Sequence, residues 1–151
     1  MPKNSLSFTR KLINSFVFCL CCSTALEAAE NSQSMETFSL QGTNWQLLKL
    51  TVLGGFEFTP ADPGDYVLNF RSENRLTGDS DCNSLSGTWV QEGTQLRFEP
   101  FVTTRRLCQP GSLHNNLVLY LKDVQTLQLR NDHLIMRTAV EGVEIEFESR
   151  D

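Results

Sequence analysis

Histidines are the first residues to consider for chemistry, and the chain has two of them, His114 and His133. They lie 19 residues apart and belong to no metal-binding pattern such as H-E-x-x-H. Asp132 directly precedes His133, but neighbours in a turn do not form a proton relay, and no G-x-S-x-G nucleophile elbow accompanies them. We therefore expect surface or helix-side histidines. The sequence predicts a protein that is not an enzyme and that binds no metal or cofactor.

Carboxylates form a second group, since Glu144, Glu146 and Glu148 alternate along one predicted strand. Side chains two residues apart share a face of a strand, so these three would stand in a row. Calcium needs about six to eight oxygens from several directions, which one row does not supply. We expect a solvated strand face that also discourages edge-to-edge aggregation.

Two adjacent arginines, Arg105 and Arg106, stand out in an otherwise acidic chain. Such a pair can receive an anionic group. It can equally form ion pairs with the acidic strands. The sequence leaves both alternatives open. A second candidate binding surface is the loop predicted over residues 54–65, in which Phe56 and Phe58 supply apolar anchors.

The five cysteines divide into two groups. Three lie in an apolar run near the N terminus, whereas Cys82 and Cys108 lie in the remainder, 26 positions apart. An even number of cysteines in an oxidising compartment predicts a disulfide between them. Two buried free thiols are the alternative for a protein that is not exported. Two cysteines without a second pair do not make a zinc site.

Residues 1–29 have the composition of a secretory signal peptide, because basic residues precede an apolar stretch and small residues follow it. The stretch is shorter than the roughly 20 apolar residues that a membrane-spanning helix needs. Its cysteines, Cys19, Cys21 and Cys22, do not follow the small residue that lipid attachment requires. We expect soluble export without a membrane span after processing, with a lipid anchor as the alternative. Residues 30–41 are polar and are predicted to form a flexible leader.

The charge of the remaining chain excludes one class of partner. The sequence has 13 basic and 18 acidic side chains, and residues 1–29 hold three of the basic and one of the acidic ones. The rest therefore carries a net charge of −7 and has no run of basic residues. Nucleic acids and anionic membranes are bound by clustered lysines and arginines. We expect no nucleic-acid partner.

Apolar residues that alternate with polar ones predict a series of short strands. These strands cover residues 45–53, 66–70, 75–78, 84–91, 94–98, 127–130, 133–138 and 143–148. One segment has a helical period, with its apolar residues on one face: Leu113, Leu117, Tyr120, Leu121 and Val124. Ser112 can supply the oxygen that caps this helix. The pattern predicts a mainly β (α+β) fold, with antiparallel strands in one curled sheet or partly open barrel and one helix.

Three motifs resemble the META/HslJ family of small envelope domains. They read Gly42-Thr43-x-Trp45-x-Leu47, then Gly78-x-x-x-Cys82-Asn83-x-x-x-Gly87-x-Trp89, and finally Thr104-x-x-x-Cys108. Three residues depart from the pattern, since Asp81 stands at a usual glycine and Arg106-Leu107 at a usual pair of small residues or methionine. Asp81 indicates either a turn without positive φ or a turn in which aspartate tolerates one.

The resemblance covers residues 42–149 and implies a curled antiparallel sheet closed by a helix. It implies a place in the periplasm or cell envelope of a Gram-negative bacterium and a supporting role in heat or antibiotic stress. It brings no catalytic residue. We expect a monomer that binds an unknown envelope protein or an apolar ligand. The alternative is a secreted inhibitor or pilot-like module that presents a loop to a larger protein, with residues 54–65 as the candidate surface.

Overall fold

The structure is a computed structural model that describes residues 38–150. The predicted signal peptide and residues 30–37 of the predicted leader lie outside the described residues. Within residues 38–150 there are ten strands and one α-helix. The strands are β1 (Asn44–Val52), β2 (Phe56–Phe58), β3 (Tyr66–Phe70), β4 (Arg75–Ser80), β5 (Asn83–Glu92), β6 (Gln95–Phe98), β7 (Val102–Thr103), β8 (Val124–Arg130), β9 (His133–Thr138) and β10 (Glu144–Ser149). The helix α1 spans His114–Leu121.

Eight of these strands form a closed antiparallel barrel. The order around the ring is β1, β3, β4, β5, β6, β8, β9 and β10, and β10 pairs again with β1. We call the pairing between two neighbouring strands of the ring a seam. The β10–β1 seam is long and runs from Trp45 opposite Ser149 to Thr51 opposite Glu144. β2 adds beside β1, and β7 adds beside β5. The predicted fold, a curled antiparallel sheet with one helix, is confirmed, and the closure of the barrel is complete.

The ring has its fewest residue pairs between β6 and β8. A single residue pair, Gln95 opposite Thr126, is in register there. One further backbone hydrogen bond, from the N–H of Leu127 to the C=O of Thr94 at 2.8 Å, joins the two sides. The chain reaches β8 only after passing through α1, so no hairpin turn holds this seam together.

Tight turns set the register of two hairpins. Glu73 and Asn74 connect β3 to β4 with φ of 57° and 56°, and Asn131 and Asp132 connect β8 to β9 with φ of 53° and 64°. The β8–β9 loop is two residues long, and such hairpin loops need this left-handed backbone, which asparagine and aspartate adopt at low cost. The register that follows places one face of each strand inside the barrel.

The inward side chains form one continuous buried cluster. It contains fully buried residues from opposite sides of the ring, among them Leu47, Leu68, Phe70, Leu134 and Phe147. Each residue of this kind contributes about 1.5–3 kcal/mol by leaving water. The helix adds Leu117 and Leu121, which are fully buried in the same cluster. The interior is thus filled by side chains.

The helix is shorter than the sequence pattern predicts. It begins at His114, with Leu113 at the cap position and no side-chain cap, so the predicted cap by Ser112 is wrong. Ser112 lies one residue before the cap position, and its Oγ accepts a hydrogen bond from the N–H of His114, the first residue of the helix, at 3.2 Å. The apolar face is correct, although its last member, Val124, already starts β8.

The end of the predicted leader packs on the barrel. Leu40 is fully buried, and its N–H donates to Oε1 of Gln91 at 3.0 Å. The side-chain amide of Gln91 also donates to the C=O of Phe38. The ring of Phe38 meets Trp45 edge to face, with centroids 6.0 Å apart. The folded domain therefore begins upstream of residue 42.

Candidate functional site

The two cysteines of the folded part lie at bonding distance. Cys82 and Cys108 are joined through their sulfurs, with Cα atoms 5.4 Å apart. This separation lies within the range of about 4.4–6.8 Å that a disulfide requires and agrees with the predicted pairing. Asp81, directly before, has a φ of 57°. Of the two readings of Asp81, the second is therefore correct, because this turn has a positive φ and aspartate tolerates it.

The buried side-chain amide of Asn83 lies beside the disulfide. It is hydrogen-bonded to the chain segment that precedes Cys108. Its Oδ1 accepts from the N–H of Arg106 at 2.7 Å and from Oγ1 of Thr104 at 2.9 Å. Its Nδ2 donates to the C=O of Arg106 at 3.1 Å. The residue is 2% exposed, so these bonds form away from water. A hydrogen-bonded amide in this position fixes two chain segments against each other.

Residues 104–107, here called the arginine segment, lie opposite Asn83. The N–H of Thr104 donates to the C=O of Ser84 at 3.0 Å, and Oγ1 of Thr104 accepts from the N–H of Ser84 at 3.1 Å. After Thr104 the chain has no turn, bend or helix as far as Gln109. All four residues are exposed. From the sequence, Asn83 was recognised only as part of the second family motif. Its role as the anchor of this segment was not predicted.

Arg105, Arg106 and Leu107, the last three residues of the arginine segment, are all exposed. Arg105 and Arg106 form no ion pair within residues 38–150, so pairing with the acidic strands is not the arrangement found. Leu107 is 99% exposed. The sequence analysis did not identify Leu107 as a candidate. One signal was available, since leucine stands here where the family usually has a small residue or methionine. Positive charge and an apolar side chain are presented together.

Phe56 and Phe58 are not in a loop, as the sequence predicted, but on the short strand β2. The flanking Gly54, Gly55 and Pro60 gave the segment the composition of a loop, and three residues are too few for an alternation to be recognised. Phe56 is 68% and Phe58 41% exposed. Leu53, directly before, is 61% exposed, and we call these three residues the β2 patch.

β2 has one paired and one open edge. Phe58 lies opposite Leu50 and Phe56 opposite Val52, so the face that points to the core on β1 continues across β2 as an open apolar surface. Within residues 38–150, β2 pairs with β1 alone. On the other face, Nζ of Lys49 contacts Oε1 of Glu57 at 2.9 Å. An exposed strand edge beside large apolar side chains can accept a further strand.

The row of glutamates on β10 is paired across the sheet. Glu144 contacts Arg130 at 2.9 Å and Arg137 at 3.2 Å. Glu148 accepts from Nε2 of Gln46 at 2.7 Å. The predicted strand face with carboxylates in a row is therefore present, and each carboxylate has a cross-strand partner instead of facing only water.

Glu146 is more enclosed than Glu144, since its side chain is 13% exposed against 24%. Nδ1 of His133 donates to its Oε1 at 2.8 Å, and Nζ of Lys49 lies 3.5 Å from Oε2. The hydrogen bond from His133 and then the charge of Lys49 lower the pKa of Glu146, against the opposing effect of burial. The hydrogen bond to Glu57 and the nearby carboxylates raise the pKa of Lys49. This arrangement has the geometry of a structural ion-pair network that ties β10 to β9 and β1.

The signature glycines and tryptophan have packing roles. A Cβ on Gly78 would lie 2.0 Å from the C=O of Val67, and a Cβ on Gly87 would lie 2.5 Å from Cβ of Phe101. Any side chain at either position would collide with its neighbour. Trp89 is 4% exposed and packs edge to face on Phe70, with ring centroids 5.4 Å apart. These contacts shape the barrel.

The remaining candidates are the two histidines, a metal site, a membrane-spanning helix and a surface groove. Nδ1 of His114 lies 3.1 Å from Oγ of the buried Ser80, and His114 and His133 are on different elements. Among residues 38–150 no group of three histidines, cysteines or carboxylates could hold a metal ion. No helix in this part of the chain is long and apolar enough to cross a membrane. An open groove of about 580 Å³ follows the β6–β8 seam and is lined by apolar and charged side chains, including Leu96, Val124, Lys122 and Asp123.

The fold and the anchored cysteine pair define a small closed antiparallel barrel with one helix packed against its core and two exposed segments on its surface. The sequence model of the META domain family matches residues 38–151, and the chain belongs to that family. No curated protein matches the chain.

Solved structures share the fold at low sequence identity. The NMR structure of a protein from Burkholderia xenovorans is 21% identical over 74% of this chain and 83% of its own, with a TM-score of 0.62. The crystal structure of a DUF4847 family protein from Bacteroides vulgatus is 15% identical over 73% of this chain and 95% of its own, with a TM-score of 0.54. These likenesses concern the fold alone.

Proposed function

We propose that the chain is a non-enzymatic, exported domain of the bacterial envelope that supports tolerance of heat or antibiotic stress by binding a partner protein at the β2 patch. The observation that carries this proposal is the set of three exposed apolar side chains, Leu53, Phe56 and Phe58, beside an open strand edge. Large exposed apolar side chains that lie together mark interaction sites in soluble proteins.

A protein partner fits this surface better than an apolar small molecule. Small apolar ligands are held in concave sites that bury most of their surface. The inward side chains of this barrel form one continuous buried cluster, and the β2 patch is a strand face. A partner strand can pair with the free edge of β2 while its side chains cover Phe56 and Phe58.

The cysteine pair supports export. Disulfides form and persist in oxidising compartments and are rare in a reducing cytosol. Cys82 and Cys108 lie at disulfide distance, which suits the periplasm or cell envelope of a Gram-negative bacterium. Intact-mass spectrometry of the processed protein tests this part of the proposal. A mass that corresponds to an N terminus between Leu26 and Glu30 supports soluble export. A mass that includes acyl chains on Cys19, Cys21 or Cys22 would establish a lipid anchor.

The binding proposal is tested by capture from envelope extract with matched variants. The double variant Phe56→Ser/Phe58→Ser should lose a partner that the wild type captures. Leu129→Ser is the control, since Leu129 is 44% exposed on β8, away from β2. The captured protein is then purified and its binding measured directly. Equal affinity for wild type and double variant would contradict the proposal.

The stress role needs a test in cells. A strain that lacks the gene should lose viability under heat or antibiotic, and the wild-type gene should restore it. The Phe56→Ser/Phe58→Ser gene should not restore it, although the protein accumulates to the same level. Full rescue by this variant would separate stress tolerance from the β2 patch.

A further inference from the structure

The arginine segment has the construction of a substrate-like loop that a protease binds but releases slowly. Residues 104–107 are exposed and run without a bend or turn, and no residue between Thr104 and Cys108 has a positive φ. Serine proteases bind their substrates as extended chains whose backbone pairs with the enzyme. A segment already held in that shape loses little conformational freedom on binding, which raises its affinity.

Arg105 is the residue whose free backbone groups allow it to occupy the specificity pocket of a protease. Within the described residues, the N–H and C=O of Arg105 have no hydrogen-bond partner, whereas both groups of Arg106 are bonded to Asn83. A protease must receive the carbonyl of the residue in its pocket in the oxyanion hole, so that carbonyl has to be free. This requirement is met at Arg105 and not at Arg106.

Asn83 and the disulfide bridge both sides of the Arg105–Arg106 peptide bond. On one side, Oδ1 of Asn83 accepts from the hydroxyl of Thr104. On the other side, the same oxygen accepts from the N–H of Arg106, and the Cys82–Cys108 bond follows two residues later. If a protease cut this bond, the new amine of Arg106 would remain held beside the new end at Arg105. A leaving group that cannot diffuse away favours re-formation of the bond over release.

We infer that this chain inhibits serine proteases of trypsin-like specificity, with Arg105 in the specificity pocket and Asn83 as the residue that holds the loop. A pocket with a carboxylate at its base selects an arginine side chain. Arg106 and the fully exposed Leu107 would contact the enzyme on the following side. This inference gives a partner class to the inhibitor alternative and concerns a different surface from the β2 patch.

The test measures hydrolysis of a small chromogenic arginine substrate by trypsin at rising concentrations of the purified, oxidised protein. Wild type should inhibit, and mass spectrometry should show the Arg105–Arg106 bond intact or slowly cut. Arg105→Ala should weaken inhibition about tenfold or more, because a single central residue carries much of such an interface. Arg71→Ala is the matched control, an exposed arginine in the β3–β4 turn, and should inhibit like wild type.

A change of specificity makes the test independent of folding defects. Arg105→Tyr should move inhibition from trypsin to chymotrypsin, whose pocket is apolar. Phe56→Ser/Phe58→Ser should inhibit like wild type, so failure of the β2 proposal does not affect this result. The inference is overturned if trypsin keeps full activity at saturating protein, or if it cuts the segment as fast as an unstructured peptide. Binding to anionic vesicles that Arg105→Gln/Arg106→Gln abolishes, with trypsin unaffected, would assign the arginines to a membrane and overturn it too.

Discussion

The arginine segment and the β2 patch are both open to solvent, but they are held in different ways. After Thr104, which is still bonded to Ser84 of β5, the arginine segment has no strand partner and depends on a disulfide and on the buried amide of Asn83. β2 depends on its ladder with β1 and on the ion pair of Lys49 with Glu57. Side-chain and covalent anchors leave the backbone of Arg105 free, whereas ladder pairing leaves a whole strand edge free. The first suits recognition of one side chain in a pocket, and the second suits addition of a strand.

The largest effect should come from removing the disulfide. Reduction, or Cys82→Ala together with Cys108→Ala, should lower the free energy of unfolding by about 2–5 kcal/mol, because the 26-residue separation of the cysteines constrains the unfolded chain. Urea denaturation of the oxidised and reduced protein measures this difference. The arginine segment should become sensitive to trypsin, while binding at the β2 patch should persist in the folded fraction. Unchanged stability on reduction would show that the bond does not hold the fold.

Asn83→Ala should weaken the same anchor without touching the disulfide. The free energy of unfolding should fall by about 1–3 kcal/mol, since the N–H and C=O of Arg106 lose their hydrogen bonds to the buried amide of Asn83. Trypsin should then cut after Arg105 faster than in wild type, as followed by mass spectrometry. Asn69→Ala is the control, because the side chain of Asn69 makes a long, exposed hydrogen bond of 3.4 Å. Slow cutting of a folded Asn83→Ala protein would mean that the amide does not hold the segment.

The ion pairs near β2 should respond to pH, and the neutral anchors of the arginine segment should not. The pKa of Glu146 is lowered in the folded protein from its ordinary value of 4.5. Its stabilising contribution is therefore present above about pH 4.5 and is lost as the pH falls through the lower folded pKa. Glu146→Gln should cost about 1–2 kcal/mol at neutral pH, and the difference from wild type should shrink in acid.

Thermal unfolding of both proteins across this pH range provides the measurement. Glu141→Gln is the control, since Glu141 is exposed and has no ion pair within the described residues. A difference between wild type and Glu146→Gln that stays constant down to the acid limit would contradict the assigned role of the charge.

The smallest effect on stability should come from the β2 patch itself. Phe56→Ser/Phe58→Ser should change the free energy of unfolding by no more than about 0.5 kcal/mol per site, because both residues are exposed and lie outside the buried core. Chemical denaturation measures this change, and partner binding measures function on the same sample. A loss of several kcal/mol would show that the rings belong to the core, and the contrast between the two surfaces would then fail.

Local pattern was enough to predict most of the strands and not the closure of the ring. The alternation of Val143, Ile145 and Phe147 predicts a half-buried strand, and the structure buries all three. Their pairing with β1 joins residues about a hundred positions apart, for example Gln46 with Glu148, and no local signal specifies it. Closure follows from the twist and number of the strands together.

The candidate site was predictable in its parts and not in its assembly. Composition singled out Arg105 and Arg106, and the cysteine count predicted the bond that follows them. The role of Asn83 depends on a contact across more than 20 positions, which residue type alone does not indicate. Phe56 and Phe58 were recognised as exposed apolar residues, but their strand is three residues long and between glycines and prolines.

The β6–β8 seam, with a single residue pair in register, sets where the barrel should open first. Cys82 and Cys108 lie on the same side of that seam, before α1, so their bond leaves it free to part. A ring that parts there exposes two unpaired edges, β6 and β8, that match each other's register. Because β10 stays paired with β1 over six residue pairs, the ring should open at β6–β8 first, and the amides of these two edges should exchange with solvent before those of β1 and β10.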